Sequence, residues 1–76
     1  MDIKDYVNSA AKQYGWIKYY STERPVSIGT QPKKGFMDFI NYDDKTEVAG
    51  RMVWAELYYD RELTEKEMRD YELVRA

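Results

Sequence analysis

Residues 51–73, RMVWAELYYDRELTEKEMRDYEL, contain the junction between two predicted elements that decides the fold. An aromatic-rich apolar segment is followed there by a short charged turn and then by a helix. Thr64 stands at the N-cap position of that helix, and Glu67 follows three residues later, which is the spacing of a capping box. Leu63 and Met68 flank the cap at the positions of a hydrophobic staple. The stretch therefore predicts an extended segment joined to a helix, and it indicates a structure rather than an activity.

Two helices are predicted, one near each end of the chain. Residues 2–14 carry apolar side chains with the i, i+3, i+4, i+7 spacing of an amphipathic helix. Asp2 can cap the start of this helix, and Gly15 stands where a glycine ends one. The second helix follows the capping box and is predicted to cover residues 65–72.

Three strands are predicted between the two helices. Residues 16–20 and 36–42 are rich in β-forming side chains. Residues 52–59 have a composition that would suit either a strand or a helix, but the segment is short and bounded by turn residues, which favours a strand. The polar residues 41–50 end in glycine and are predicted to form a turn or hairpin loop.

These elements predict one small α+β domain that covers residues 1–76. Strands that follow one another without a crossover helix pair antiparallel, so we expect a three-stranded antiparallel sheet. The N-terminal and C-terminal helices are expected to cover one face of that sheet, in the order α-β-β-β-α.

The composition indicates a soluble, cytoplasmic protein. The chain has no cysteine, which fits a reducing compartment, and no apolar run near the length of roughly 20 residues that spans a bilayer. Its N-terminus is acidic and lacks the apolar core of a secretory signal. The formal net charge of −2 indicates neither a strong nucleic-acid binder nor a strong DNA mimic.

Enzymatic chemistry is disfavoured by the residues that the chain lacks. Histidine and cysteine are both absent, which removes the commonest general base, the usual nucleophile pairs and nearly all zinc sites. The remaining candidate is an acidic group, Asp43, Asp44 and Glu47, which could hold Mg²⁺ or Ca²⁺ in an enzyme or metal-binding protein. Lys45 departs from the EF-hand pattern, so a solvated turn is the favoured interpretation. We therefore expect no enzyme activity, no metal and no cofactor.

The loop at residues 24–35 is the longest irregular segment and contains two prolines and two glycines. Loops of this length often carry function, and Arg24, Lys33 and Lys34 lie in it with Tyr19 and Tyr20 just before it. Cations beside aromatic rings can bind nucleic acid, but three cations are few for that purpose. An ordered connector is the favoured interpretation, with residues 26–28 as one short extended piece.

The tyrosine pairs predict an exposed aromatic surface. Neighbouring residues of a strand point to opposite faces, so Tyr19 and Tyr20 should diverge, as should Tyr58 and Tyr59. If both helices cover one face, at least one tyrosine of each pair is exposed or faces a partner. Tyrosine is enriched at protein interfaces, because its ring packs while its hydroxyl forms hydrogen bonds.

Three strings of the sequence resemble a known family: RPVSIGTQPKKG, FINYDDKTEV and GRMVWAELYYDRELTEKEMRDYELV. They are similar to a large polyvalent protein-associated domain, which also occurs as small stand-alone proteins of bacterial conjugative elements and phages. The resemblance covers residues 19–74 and is strongest around Trp54 and Tyr59-Asp60-Arg61. A proline is common in that family where Glu62 stands, so the chain departs from the pattern there.

The resemblance implies a context rather than a catalytic mechanism, and it brings no catalytic residues. It implies a protein that helps a mobile element survive in its host, either by inhibiting a host defence protein or by assisting transfer. We therefore predict a non-enzymatic protein-interaction module, with a nucleic-acid-binding accessory protein as the alternative and a homodimer as a further possibility. The residues predicted to contact the partner are Tyr19, Tyr20, Arg24, Lys33, Lys34 and Tyr58.

Overall fold

The computed structural model describes residues 3–27 and 29–76, with the backbone alone for residues 3 and 4. Within these residues the elements are α1 (Ile3–Tyr14), β1 (Ile17–Ser21), β2 (Phe36–Val48), β3 (Arg51–Tyr59), α2 (Glu65–Asp70) and β4 (Leu73–Arg75). The predicted α+β class is confirmed, but the sheet has four strands rather than three. Neither described helix is long and apolar enough to span a membrane.

The strands form one antiparallel sheet in the order β2-β3-β1-β4. The strand missing from the prediction is β4, which pairs with the second half of β1. The reason is a sharp change of direction at Glu72, whose φ of 57° ends the helical path that the sequence predicted to continue there. The Glu72 carbonyl accepts the Thr22 N–H at 3.3 Å, which holds the returning chain against β1.

The predicted turn at residues 41–50 is wrong for most of its length, because β2 continues to Val48. The chain reverses only at Ala49 and Gly50, with φ of 52° and 80°, as a two-residue hairpin of type I′ requires. Between Asn41 and Thr46 the register shifts, so that several residues of β2 oppose a single residue of β3. Beyond the shift, Thr46, Glu47 and Val48 pair again with the start of β3.

The two helices lie on opposite faces of the sheet, which corrects the prediction that they share one face. Val7 and Ala11 of α1 pack against Tyr58, on the face of the even-numbered residues of β3. On the other face, Leu57 and Tyr59 belong to the larger cluster, which Met68 of α2 and the C-cap residue Tyr71 cover. Because β3 is covered on both faces, its residues 55–59 are all buried.

The expectation of an exposed tyrosine in each pair is therefore wrong for Tyr58 and Tyr59, which are 1% and 0% exposed. For the other pair, Tyr19 is buried and Tyr20 is partly exposed. Covering both faces with short helices gives a small domain room to bury more of its tyrosines than one covered face would allow.

The end of α1 follows the prediction. Gly15 has a φ of 71°, and the Trp16 N–H donates to the Ala11 carbonyl at 2.9 Å, which is the longer bond of a Schellman motif. The predicted cap at Asp2 lies outside the described residues. The short extended piece predicted at residues 26–28 is not a strand at Val26. Ile28 lies outside the described residues.

Candidate functional site: an apolar groove beside a basic loop

An open groove of about 630 Å³ lies between the loop at residues 24–35 and the first half of β2. Phe36 and Phe39 of β2 form one wall. The residues from the loop that line the opposite wall are Val26, Ser27 and Gln31. We call this feature the groove. It is concave and mostly apolar, which are properties common to ligand and partner sites.

The loop wall of the groove is fixed to the sheet by hydrogen bonds. The Asn41 side chain holds Val26 at both backbone atoms, because its Oδ1 accepts the Val26 N–H at 2.8 Å and its Nδ2 donates to the Val26 carbonyl at 3.0 Å. Farther along, the buried Tyr59 hydroxyl donates to the Pro32 carbonyl at 2.7 Å. The loop is therefore held to the sheet at Val26 and at Pro32.

The end of the loop closes against the turn after β3. Gly35 has a φ of 77°, and a Cβ at this position would lie 2.5 Å from Oδ1 of Asp60, so no larger residue fits without movement. The Asp60 N–H donates to the Gly35 carbonyl at 3.0 Å, and the Arg61 Nε donates to the Lys34 carbonyl at 3.0 Å. Glycine is thus favoured here by its conformation, and a Cβ would also have to displace the Asp60 carboxylate.

Arg61 connects the loop to the start of α2. Its guanidinium forms a two-pronged ion pair with Glu67, with N–O distances of 2.9 and 2.7 Å. The predicted capping box is confirmed, because Glu67 also accepts the Thr64 N–H at 2.9 Å while the Thr64 hydroxyl accepts the Glu67 N–H at 3.1 Å. Arg61 and the Thr64 backbone lower the pKa of Glu67 to about 2.

The strand wall of the groove presents an aromatic surface. The rings of Phe36 and Phe39 stack with centroids 6.0 Å apart. The rings of Phe36 and Tyr59 form a T-shaped pair with centroids 5.5 Å apart. Phe36 is therefore anchored in the core, whereas Phe39 is 41% exposed. An exposed phenylalanine on a supported ring pair is a candidate contact for a partner.

Of the basic side chains in the loop and in the turn that it contacts, some form ion pairs and others do not. Arg24 forms an ion pair with Glu72, and Arg61 is held by Glu67. Lys33 and Lys34 are exposed and have no carboxylate partner within the described part of the chain. These two ammonium groups are thus available to an anion from outside.

The structure separates most of the residues predicted to contact a partner. Tyr19 is buried, and its hydroxyl accepts the Leu63 N–H at 2.8 Å. Tyr58 is buried on the opposite face, beneath α1, and Tyr20 points to that face as well. Of the predicted set, only Lys33 and Lys34 are exposed cations without an ion pair among the described residues, and they lie in the sequence between the lining residues Gln31 and Phe36.

The aromatic wall of the groove is not among the residues predicted to contact a partner. A usable signal was present, because residues 36–40 are apolar on both faces apart from Asp38. An edge strand with apolar residues on both faces indicates that one of them meets solvent or a partner. On the groove side of β2, Phe39 is that residue.

A second polar cluster lies under α1 and centres on the buried carboxylate of Glu56. The Tyr42 hydroxyl donates to its Oε2, the Tyr58 hydroxyl lies 2.7 Å from its Oε1, and Lys18 Nζ lies 3.3 Å from the same oxygen. The Tyr58 hydroxyl also lies 2.5 Å from Oδ1 of Asn8, which links the cluster to α1.

The Glu56 cluster stabilises a buried charge and offers no open site. Burial alone would raise the pKa of Glu56, but the hydrogen bonds from Tyr42 and Tyr58 and the charge of Lys18 lower it below its ordinary value. Burial, followed by the hydrogen bond to Glu56, raises the pKa of both tyrosines. The cluster thus ties β1, β2, β3 and α1 together through one ionised group.

The acidic group considered as a metal site lies on β2, where Asp43, Asp44 and Glu47 are all exposed. Asp44 uses its Oδ1 to accept the N–H of Lys45 at 2.8 Å. Within the described residues, no group of three or more acidic or other metal-binding side chains is placed to hold an ion.

Comparison with known proteins gives one match. A family model described as Defence against restriction A C-terminal matches residues 14–76, which include every strand and α2 but only the last residue of α1. No curated protein and no solved structure gives a significant match. The resemblance to a counter-defence domain of mobile elements is confirmed at this level, and the association with large polyvalent proteins stays a prediction.

Proposed function

Because this chain belongs to the Defence against restriction A C-terminal family, we propose that it is a non-enzymatic protein-interaction module of a bacterial mobile element. In this proposal it binds a host restriction protein and covers part of that protein's surface, so that incoming DNA escapes cleavage. The family match supports a role in defence against restriction, and the groove supports binding of a partner protein as the mechanism.

The observation that carries the proposal is the exposed Phe39 in an apolar groove whose loop wall is hydrogen-bonded to the sheet at Val26. A depression whose walls are already held in place needs less reorganisation to bind, so more of the contact energy remains for affinity. Few residues carry most of the energy of an interface, and they cluster in desolvated pockets of this kind. Occlusion needs no catalytic group, which agrees with a chain that lacks histidine and cysteine.

The proposed function is tested by transforming unmodified plasmid into hosts that each carry one defined restriction system. An isogenic host without the system serves as the reference. When the chain is expressed, recovery of the plasmid should rise in at least one restricting host and stay unchanged in the reference host. Equal recovery with and without the chain in every restricting host would contradict the proposal.

The nucleic-acid alternative stays a prediction that the geometry does not favour. Its two requirements are cations along a backbone path and exposed rings on which bases stack. Tyr19 and Tyr58 are buried, and Arg24 is paired with Glu72, which leaves Lys33 and Lys34 as the available cations of the predicted set.

A further inference from the structure

We propose that the groove receives an apolar or aromatic side chain from an acidic segment of the partner protein, whose carboxylates meet Lys33 and Lys34. This inference rests on the proposed function and deepens it by giving the chemistry of the bound segment. It concerns the groove defined by the loop at residues 24–35 and the first half of β2.

The lining of the groove determines which kind of group enters it. Phe36, Phe39 and Val26 present carbon surface, and the polar groups of the loop wall are already partly used within the loop. The Ser27 N–H, for example, donates to the Thr30 hydroxyl at 2.9 Å. An apolar side chain gains roughly 25 cal/mol for each Å² that it buries, so it fills this space better than a polar one.

Pairing of a partner strand with the free edge of β2 is the main competing mode of binding, and the edge is blocked against it. The Phe39 N–H donates to the Asp38 carboxylate at 2.8 Å, and the Lys45 N–H donates to the Asp44 carboxylate at the same distance. A partner strand would have to displace these side chains and approach several exposed carboxylates. Charged side chains on an edge strand commonly prevent such pairing.

The charge of the bound segment follows from the residues around the groove. Lys33 and Lys34 lie between the two walls in the sequence and have no carboxylate partner within the described residues. Between residues 26 and 39, Asp38 is the only acidic residue, and its Oδ1 already accepts the Phe39 N–H. A segment with carboxylates beside its apolar residue is therefore complementary to the loop side of the groove.

The inference is tested with isotope-labelled protein and three short peptides of equal length. The first has a central Trp-Leu pair flanked by Asp and Glu, the second has the same centre flanked by Lys, and the third has acidic flanks with a Ser-Ser centre. We expect the first peptide to shift the amide signals of the groove residues. We also expect it to bind at least about tenfold more tightly than the second or the third peptide. A single-stranded oligonucleotide is included as a fourth probe.

Matched variants locate the binding. Phe39→Ser should abolish the shifts caused by the first peptide, whereas Met52→Ser should not, since Met52 is 46% exposed on β3 and does not line the groove. The double variant Lys33→Glu with Lys34→Glu should reverse the preference, so that the peptide with Lys flanks binds better. Lys12→Glu, an exposed change on α1, should leave the preference unchanged.

Three results would overturn the inference: equal binding of the three peptides, no binding of the first peptide, or oligonucleotide shifts in the groove as strong as those of the first peptide. Its failure can be separated from failure of the proposed function. If the chain protects plasmid DNA but no peptide binds, the function stands and the chemistry of the groove is wrong. If the first peptide binds as expected but the chain protects no DNA, the proposed function is wrong.

Discussion

Glu56 shows at the residue scale how a small sheet can keep a buried carboxylate ionised. It is 3% exposed and is held by the hydroxyls of Tyr42 and Tyr58 and by Lys18. These donors come from three strands, and they hold Glu56 more strongly when its carboxylate is charged. The expected consequences concern both overall stability and its dependence on pH.

Replacing Glu56 by Gln should destabilise the fold by about 1–3 kcal/mol at neutral pH, because the charge-assisted hydrogen bonds weaken and Lys18 loses its partner. The folded-state pKa of Glu56 is lowered, so its contribution is complete above the unfolded value of about 4.3 and is lost as pH falls through the folded value. Urea unfolding at several pH values should therefore give a shallower acid decline for the variant. Parallel curves for the two proteins would contradict this account.

Gly35 provides a second prediction at the residue scale. Gly35→Ala should cost at least about 1 kcal/mol, because an alanine is strained at φ of 77° and its Cβ would lie 2.5 Å from Asp60. Gly50→Ala is the matched control, since Gly50 has a φ of 80° and nothing within 4 Å of its Cβ position. Thermal unfolding should show a larger loss for Gly35→Ala, and an equal loss would exclude the contact as a cause.

The sequence predicted residues well where the determining contact is local. The reciprocal hydrogen bonds of Thr64 and Glu67 span three residues, so their spacing alone was sufficient. The partners of Tyr58 come from distant parts of the chain, with Asn8 fifty residues away. No local pattern indicates such a contact, and Tyr58 was therefore predicted to be exposed.

At the scale of elements, α2 is short, and its first turn depends on the capping box. Thr64→Ala should cost about 0.5–2 kcal/mol, because it leaves the Glu67 N–H without its side-chain acceptor. Thr64→Ser keeps a hydroxyl and should cost much less. Urea unfolding of the two variants measures the difference, and equal losses would mean that the cap contributes little.

The two misjudged elements, β2 and β4, share a physical cause. The second half of β2 is polar and exposed, so it lacks the alternation that marks a strand, and it is held by pairing with β3 instead. The strand β4 has three residues and exists because β1 has a free edge beside it. Pairing with a neighbouring strand supplies both elements. The partner of β4 is distant in sequence, whereas the end of β2 pairs with the start of β3 across a two-residue hairpin.

At the scale of the whole molecule, the arrangement of the helices determines which surface is free. Because α1 and α2 cover opposite faces, Tyr19, Tyr58 and Tyr59 are buried. The exposed aromatic side chains of the described residues are Tyr6 and Tyr14 on α1 and Phe39 at the groove. The sequence indicated both helices but not the side of the sheet that each covers. The family match begins at Tyr14, so the groove lies within the matched region and α1 almost entirely outside it.

The most direct test of the account is a cleavage titration with the restriction enzyme against which the chain protects plasmid DNA. The purified enzyme and unmodified DNA are mixed with increasing amounts of the chain, of its Phe39→Ser variant or of its Met52→Ser variant. The account predicts that the chain and Met52→Ser stop cleavage near an equimolar ratio to the enzyme, while Phe39→Ser needs at least about tenfold more. Inhibition at far lower ratios, as a catalyst would give, or equal inhibition by all three proteins would contradict it.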